Sequence, residues 1–169
     1  MKFDLRLSQD NDLSDLIRLS AQARVRYKII PSLAHVADSP ALSEGRFNAC
    51  RVMVAVDRDS QRVIGFAAMR PLDGLLYLDT IAVDPEASGN GVGEGLLLSV
   101  MAHAHAHAQQ VQAVSLTTFR EPLWNGPWFR KHGFSLMPQA HVGAGLRAVI
   151  ERQSLTHRPV TRETLWRLL

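Results

Sequence analysis

Leu75-Leu76-Tyr77-Leu78-Asp79-Thr80-Ile81-Ala82-Val83-Asp84-Pro85-Glu86-Ala87-Ser88-Gly89-Asn90-Gly91-Val92-Gly93-Glu94-Gly95 decides how this chain is read. Residues Leu75 to Val83 are apolar on both faces, which predicts a strand at the centre of a sheet. After Asp84-Pro85 comes a glycine cluster, and then Leu96, Leu97, Val100, Met101, Ala104 and Ala108 fall on one face of a helix. At a helix start the first amides lack carbonyl partners, and with the helix dipole they form a site for an anion. Glycines let a bulky pyrophosphate approach the backbone without side-chain clash. Relief of strain in a tight strand-to-helix turn would ask for the same glycines, so the loop alone leaves both readings open.

Two other phosphate-binding arrangements do not fit these residues. A P-loop needs Gly-Lys-Ser/Thr at the helix start, and no lysine follows these glycines. A dinucleotide fold needs its glycines inside a parallel βαβ unit, with an acidic residue ending the next strand. Here the preceding strands read as hairpins and the next strand ends Thr117-Thr118-Phe119.

Outward from the loop, strands and helices alternate. Phe3, Leu5 and Leu7 alternate with polar residues as a half-exposed strand. Asp10, Asn11 and Asp12 offer N-caps for a helix carrying Leu13, Leu16, Ile17 and Ala21 on one face. Lys28 to Phe47 is irregular, suited to one or two short helices beside a loop. Val52–Val56 and Val63–Met69 read as an antiparallel hairpin, and Pro71-Leu72-Asp73-Gly74 as a further turn. Val111–Phe119 is the next strand, Pro127–His132 a short helix and Phe134–Met137 the start of another strand. Leu146, Val149 and Ile150 imply a last helix, and Val160–Leu168 a last strand. The expectation is one α/β (α+β) domain over residues 1–169, a mixed, mostly antiparallel central sheet flanked by helices.

Taken together, Leu75 to Pro85, the glycine loop and Trp128-Phe129-Arg130-Lys131-His132-Gly133-Phe134 resemble the GNAT acyltransferases, the acetyl-CoA-dependent N-acetyltransferases. The resemblance covers about sixty residues strongly and the element order of the rest loosely. In that family a strand ending in a Val-Asp-Pro-like turn leads into R/Q-x-x-G-x-G/A, and a later short helix ends in Tyr-x-x-x-Gly-Phe. Gly91 and Gly93 match the two glycines, while Ser88 falls where arginine or glutamine is usual. The resemblance implies acetyl-CoA as acyl donor. Its pantetheine arm and thioester would pair with the backbone of Ile81, Ala82 and Val83. The loop from Ser88 through Gly89, Asn90, Gly91, Val92 and Gly93 to Glu94 would hold the pyrophosphate. Phe129 occupies the position of the tyrosine thought to protonate the leaving thiolate, and phenylalanine has no proton to give. The implied acceptor is a primary amine of a small molecule or peptide, shaped by residues 28–47 and the late loops, and a homodimer is a common family arrangement. The departures at Ser88 and Phe129 sustain an alternative, a CoA-binding sensor or interaction protein with little catalysis.

Acyl transfer to an amine needs a deprotonated nucleophile and a polarised thioester carbonyl. Asp79 is the preferred base, because it interrupts an apolar strand where the family places the thioester; a carboxylate paired to a neighbouring arginine is the plainer alternative. Tyr77, on the same strand face, extends a proton path or fills the core. Thr118 and Glu121 are placed to border an acceptor site, and Trp124 and Trp128 line a pocket or pack the core. Asn125, before Gly126-Pro127, suits a helix cap or a contact with the pantetheine arm.

His103 and His107 stand one helical turn apart with His105 facing away, so at most two could share an ion, and no metal site is expected. His132 and His141 have no partner visible in the sequence. Cys50, the sole cysteine, precludes an intramolecular disulfide and reads as a buried small residue in a reducing compartment. A net charge of +3 without a basic stripe argues against nucleic acid. With no apolar run approaching the ~18 residues of a membrane span and no signal-peptide core, a cytoplasmic protein without membrane contact is expected.

Overall fold

The β-period hairpins and the two-sided apolar strand both form. The computed structural model describes residues 1–156, 158 and 161–169. These divide into two compact units, Met1–Met69 with Thr80–Val100 and Arg70–Asp79 with Met101–Leu169. Strands β1 (Phe3–Leu7), β2 (Arg51–Asp57), β3 (Val63–Leu72), β4 (Leu75–Val83), β5 (Ala113–Phe119), β6 (Ser135–Leu136) and β7 (Arg162–Leu168) form one sheet in the order β1-β2-β3-β4-β5-β7-β6. The pairs β1–β2, β2–β3, β5–β7 and β6–β7 are antiparallel, while β4 and β5 run parallel through Leu76↔Val114 and Tyr77↔Ser115. The fold is thus the expected mixed, mostly antiparallel sheet flanked by helices.

In the first unit, Val52, Val54 and Val56 of β2 and Phe66 and Ala68 of β3 bury one face. They pack with Leu16 and Leu19 of helix α1 (Leu13–Gln22) and Phe47 of α2 (Glu44–Asn48). A register shift at Ala55/Val56 brings Val63 opposite Val56. The opposite face carries Gly65, where an added Cβ would stand 3.1 Å from both Val92 and Leu96 of helix α3 (Val92–Ala106) and 3.0 Å from the Ala82 carbonyl. The missing side chain lets α3 lie directly on β3. The irregular stretch becomes two 3₁₀ helices, Val25–Ile29 and Pro31–Asp38, followed by α2, whose Ser43 hydroxyl caps it by accepting from the Arg46 amide at 3.4 Å.

In the second unit the β3–β4 turn has left-handed backbone at both Asp73 (φ 53°) and Gly74 (φ 73°), the pattern of a tight two-residue hairpin. Leu75, Tyr77 and Ala113 pack with Met137, Val142 and Leu146 and Val149 of α5 (Ala144–Ser154). The N-cap of α5 is Gly143, which has no side chain to offer. The Asp73 carboxylate caps it instead, accepting from the amides of Gly145 (2.9 Å) and Leu146 (2.8 Å).

Several expectations need correction. Asp12 is buried and does not cap α1 through its side chain. Its carboxylate forks onto Arg6 (2.7 and 3.0 Å) and accepts from the Gln9 amide (2.8 Å), a stronger set of partners than a lone cap. Ala108 lies beyond the end of α3 and is exposed, because the residues after Ala106 have no apolar face to continue. Leu5 and Leu7 are also exposed, on an edge strand. The strand expected at Phe134–Met137 shortens to Ser135–Leu136, with Phe134 and Met137 buried on either side. The final strand begins at Arg162; Val160, expected to open it, lies outside the described residues.

Candidate functional site

The turn that leaves β4 is fixed before the glycines begin. The Asp84 amide donates to the Ile64 carbonyl at 2.8 Å, and its carboxylate accepts from the Glu86 amide at 3.0 Å, capping the 3₁₀ turn Pro85–Ala87. Arg18 stands 3.5 Å from the other oxygen of that carboxylate. An aspartate before proline therefore has a local structural task, which accounts for the Val-Asp-Pro stretch.

The loop itself faces outward. Ser88, Gly89, Asn90 and Gly91 are exposed. Gly89 (φ 79°) and Gly91 (φ 78°) are left-handed, and a Cβ on either would meet nothing within 4 Å. Backbone conformation, not internal crowding, thus demands these glycines. The Asn90 amide group donates to the carbonyls of Ala87 and Ser88, both at 3.2 Å, and holds the loop's shape. Gly95 donates to the Gly91 carbonyl at 2.9 Å, closing the first turn of α3. Ahead of it, the amides from Gly89 to Gly93 have no carbonyl partner among the described residues. An open face, left-handed glycines and unpartnered amides at a helix start fit a phosphate-bearing ligand such as CoA. Just upstream, Ala82 is buried while Ile81 and Val83 are half-buried.

At Ser88, where the motif usually has a long polar side chain, the hydroxyl accepts from the Arg26 guanidinium at 3.2 Å. Arg26 lies 62 residues upstream on the 3₁₀ helix Val25–Ile29, and nothing in the local sequence pattern points to it.

The remaining candidates lie in the second unit. Asp79 is half-buried on β4. Tyr77 is fully buried in the core, and burial pushes its phenol pKa up. Its hydroxyl lies 3.5 Å from the Thr117 hydroxyl, which also accepts from Gln153 (2.8 Å) and Arg162 (3.1 Å). Thr118 is buried and accepts from the Asn125 side chain at 3.0 Å. That bond corrects the capping expectation: Asn125 occupies the N-cap position of α4 (Gly126–Lys131), but its side chain makes no cap bond. Phe129 is buried edge-on between Trp128 (5.0 Å) and Phe134 (5.6 Å), as a core aromatic. Glu121 is exposed, and Trp124 and Trp128 are half-buried.

Nearby, the Glu163 carboxylate is wholly buried and receives both arms of the Arg130 guanidinium, at 2.5 and 2.6 Å. The sequence did not single out this pair. Gly126 exists beside it because a Cβ there would run into Glu163 and, at 2.8 Å, the Arg120 carbonyl.

Among the histidines, the His103 and His107 rings lie 4.3 Å apart, and His107 Nδ1 is 2.8 Å from the His103 carbonyl. His132 packs on Trp128 at 4.3 Å and His141 on Trp166 at 4.9 Å. Among the described residues no group of three or more His, Cys, Asp or Glu side chains is placed to hold a metal, and no helix is long and apolar enough to cross a membrane. Cys50 is half-buried against the first unit's core.

The sequence profile of the acetyltransferase (GNAT) domain family matches residues 48–136. Among solved structures, an acetyltransferase of the GNAT family from Staphylococcus aureus MU50 superposes with a TM-score of 0.70 at 15% identity over 99% of each chain. The PaiA N-acetyltransferase from Thermoplasma acidophilum, solved in complex with coenzyme A, gives 0.69 at 14% identity over 100% of both chains. N-acetylglutamate synthase from Neisseria gonorrhoeae, complexed with coenzyme A and N-acetyl-glutamate, gives 0.69 at 16% identity; the match covers 100% of this chain but 35% of that one. At these identities the likeness is one of fold.

Proposed function

This chain belongs to the GNAT acetyltransferase family, and we propose that it transfers the acetyl group of acetyl-CoA to a primary amine of a small molecule or peptide, with residues 1–169 as the catalytic domain. The observation that carries the reading is the loop from Ser88 to Glu94, with its left-handed glycines and, at the head of α3, the amides of Gly89 to Gly93 that have no carbonyl partner among the described residues. Gly89, Asn90, Gly91, Val92 and Gly93 would hold the pyrophosphate through their amides, and the backbone of Ile81 to Val83 would run alongside the pantetheine arm. Bound acetyl-CoA supplies an acyl group already activated as a thioester.

In this reading Asp79 takes the proton that the attacking amine must lose, directly or through one water. A backbone amide between Ile81 and Val83 polarises the thioester carbonyl. Asn125 steadies the approach to the short helix α4 through Thr118. The buried Phe129 ring has no proton to donate, so the leaving thiolate takes its proton from solvent or from another side chain.

The test is incubation of the purified chain with acetyl-CoA and a panel of amines, amino acids and short peptides, following thiol release and product mass. Amine-dependent thiol release with a matching mass gain supports the proposal. Tight CoA binding with no turnover on any acceptor would overturn it in favour of the CoA-binding sensor, which the buried Phe129 favours.

A further inference from the structure

We propose that Arg70 selects the acceptor: its guanidinium binds a carboxylate, so the amine that is acetylated is one that also bears a carboxylate, as an amino acid does. The inference rests on the reading that this chain acetylates an amine with Asp79 as base. Arg70 stands near the end of β3 and is half-buried. Among the described residues its guanidinium makes no ion pair and no hydrogen bond; it lies instead over the face of the Tyr77 ring, 5.2 Å from Cζ to the centroid. A guanidinium laid on an aromatic face keeps its five N–H donors at its edge, in the fork that matches a carboxylate. Half-buried, it has also given up part of its water, which favours an anion that can replace it.

The carboxylates of the second unit are engaged elsewhere. Asp73, three residues on, commits both oxygens to the amides of Gly145 and Leu146. Glu163 receives Arg130, and it pairs with Thr118 of β5, one residue out of step with Thr117 and so on the other face of the sheet. Arg162, a second cation on the Thr117 face, is itself committed: it donates to Thr117 at 3.1 Å and lies over the Phe119 ring at 4.6 Å. The anion site is therefore assigned to Arg70 and not to Arg162.

The hairpin relates Arg70 to the proposed base. Its two-residue tip at Asp73 and Gly74 sets Arg70 across from Tyr77, and Asp79 follows two residues along β4 on the face of Tyr77. Such a cross-strand diagonal spans about 7–8 Å between backbones, a distance that a small molecule with an amine at one end and a carboxylate at the other can bridge. The ring under Arg70 is held firmly. Tyr77 is buried, and its hydroxyl lies 3.5 Å from the Thr117 hydroxyl, which accepts from Gln153 at 2.8 Å and from Arg162. A guanidinium resting on a fixed ring loses little further freedom when an anion arrives.

The test measures kcat/KM with acetyl-CoA for matched acceptors: amino acids, their carboxamides and simple alkylamines. Dipeptides with a side-chain carboxylate separate a free amino acid from an acidic peptide as the source of the anion. The wild type should prefer an acid over its carboxamide by about 10- to 100-fold, mostly through KM. Arg70→Gln should bring that ratio close to one and Arg70→Lys should retain part of it, both with the CoA affinity of the wild type. Comparing the ratio between wild type and variant cancels the different basicity of the two amines. A wild type that prefers carboxamides or alkylamines overturns the proposal. So does an acid preference that survives Arg70→Gln, or an equal loss for acids and carboxamides, which marks a structural role. A wild type that binds CoA and acetylates nothing in the panel defeats the acetyltransferase reading itself, and the proposal with it.

Discussion

Replacing Gly91 separates the loop's role in binding from its role in folding. Gly91 has φ of 78°, and a Cβ there meets nothing within 4 Å. Any L side chain therefore bears only the left-handed backbone cost, about 1–2 kcal/mol, with no internal clash added. For a chain of this length that lowers Tm by about 2–8 °C and leaves the protein folded. The effect on the ligand is larger. A glutamate carboxylate about 4 Å from a phosphate charge is repelled by ~1 kcal/mol in water and more in a less polar setting. On this exposed loop the lower figure applies to each of two phosphates, giving about 2 kcal/mol, or roughly 30-fold in affinity. Gly91→Glu should thus bind CoA at least about 30-fold more weakly by calorimetry, while melting within about 8 °C of wild type. Gly91→Asn, whose side chain tolerates left-handed backbone, serves as the uncharged control and should lose less. A folded Gly91→Glu protein with undiminished CoA affinity would refute the assignment of this loop to the pyrophosphate.

Asp79→Asn should keep CoA affinity yet lower kcat/KM about 10²-fold with an identified amine, and the deficit should shrink as pH rises and free amine becomes abundant; normal turnover across the pH range removes Asp79 from the mechanism. The hydrogen bonds from Arg6 hold the Asp12 carboxyl below its usual range. A depressed carboxyl stabilises the fold above its unfolded pKa of about 3.9, and that stability is lost as pH falls through the lower folded value. Asp12→Asn should therefore cost about 1–2 kcal/mol at pH 7, screened by the exposure of Arg6, and progressively less below pH ~4 in urea melts. Glu163→Gln and Gly126→Ala disturb the same ion pair, whose carboxylate end is buried and whose Arg130 end is exposed. Each should cost about 2–3 kcal/mol, and the double variant less than the sum, measured by a double-mutant cycle.

The alternation of Val52 to Val56, the two-sided apolar run at Leu75 to Val83 and the glycine cluster are local patterns, and each maps onto the element it predicts. What escaped is long-range. Arg26 meets Ser88 across 62 residues from an irregular segment without period. β7 inserts between β5 and β6, a pairing that no local spacing encodes. Asn125 carries the expected cap signature, yet a buried hydroxyl seven residues earlier, on Thr118, takes its side chain. Glu163 sits within a strand of mixed character, and the arrival of Arg130 from α4, with Arg120 at 4.0 Å from the same carboxylate, explains how it is buried. Asp12 likewise looked like a cap until the fold brought Arg6 to it.

The carboxylate of Asp73 has a consequence for chain grafting. It serves two masters, a left-handed hairpin tip and the first amides of a helix 72 and 73 residues further on. The glycines at 143 and 145 are matched to it, since a Cβ on either would press on Asp73. By backbone geometry Asn-Gly would serve the turn as well as Asp-Gly. An asparagine, however, offers one carbonyl oxygen and an NH₂ group, which cannot accept from the second amide. The hairpin tip is therefore not an interchangeable part. A transplant of this turn from a homologue, however well it matches in length and twist, would leave α5 with an open end unless residues 143 to 146 travelled with it.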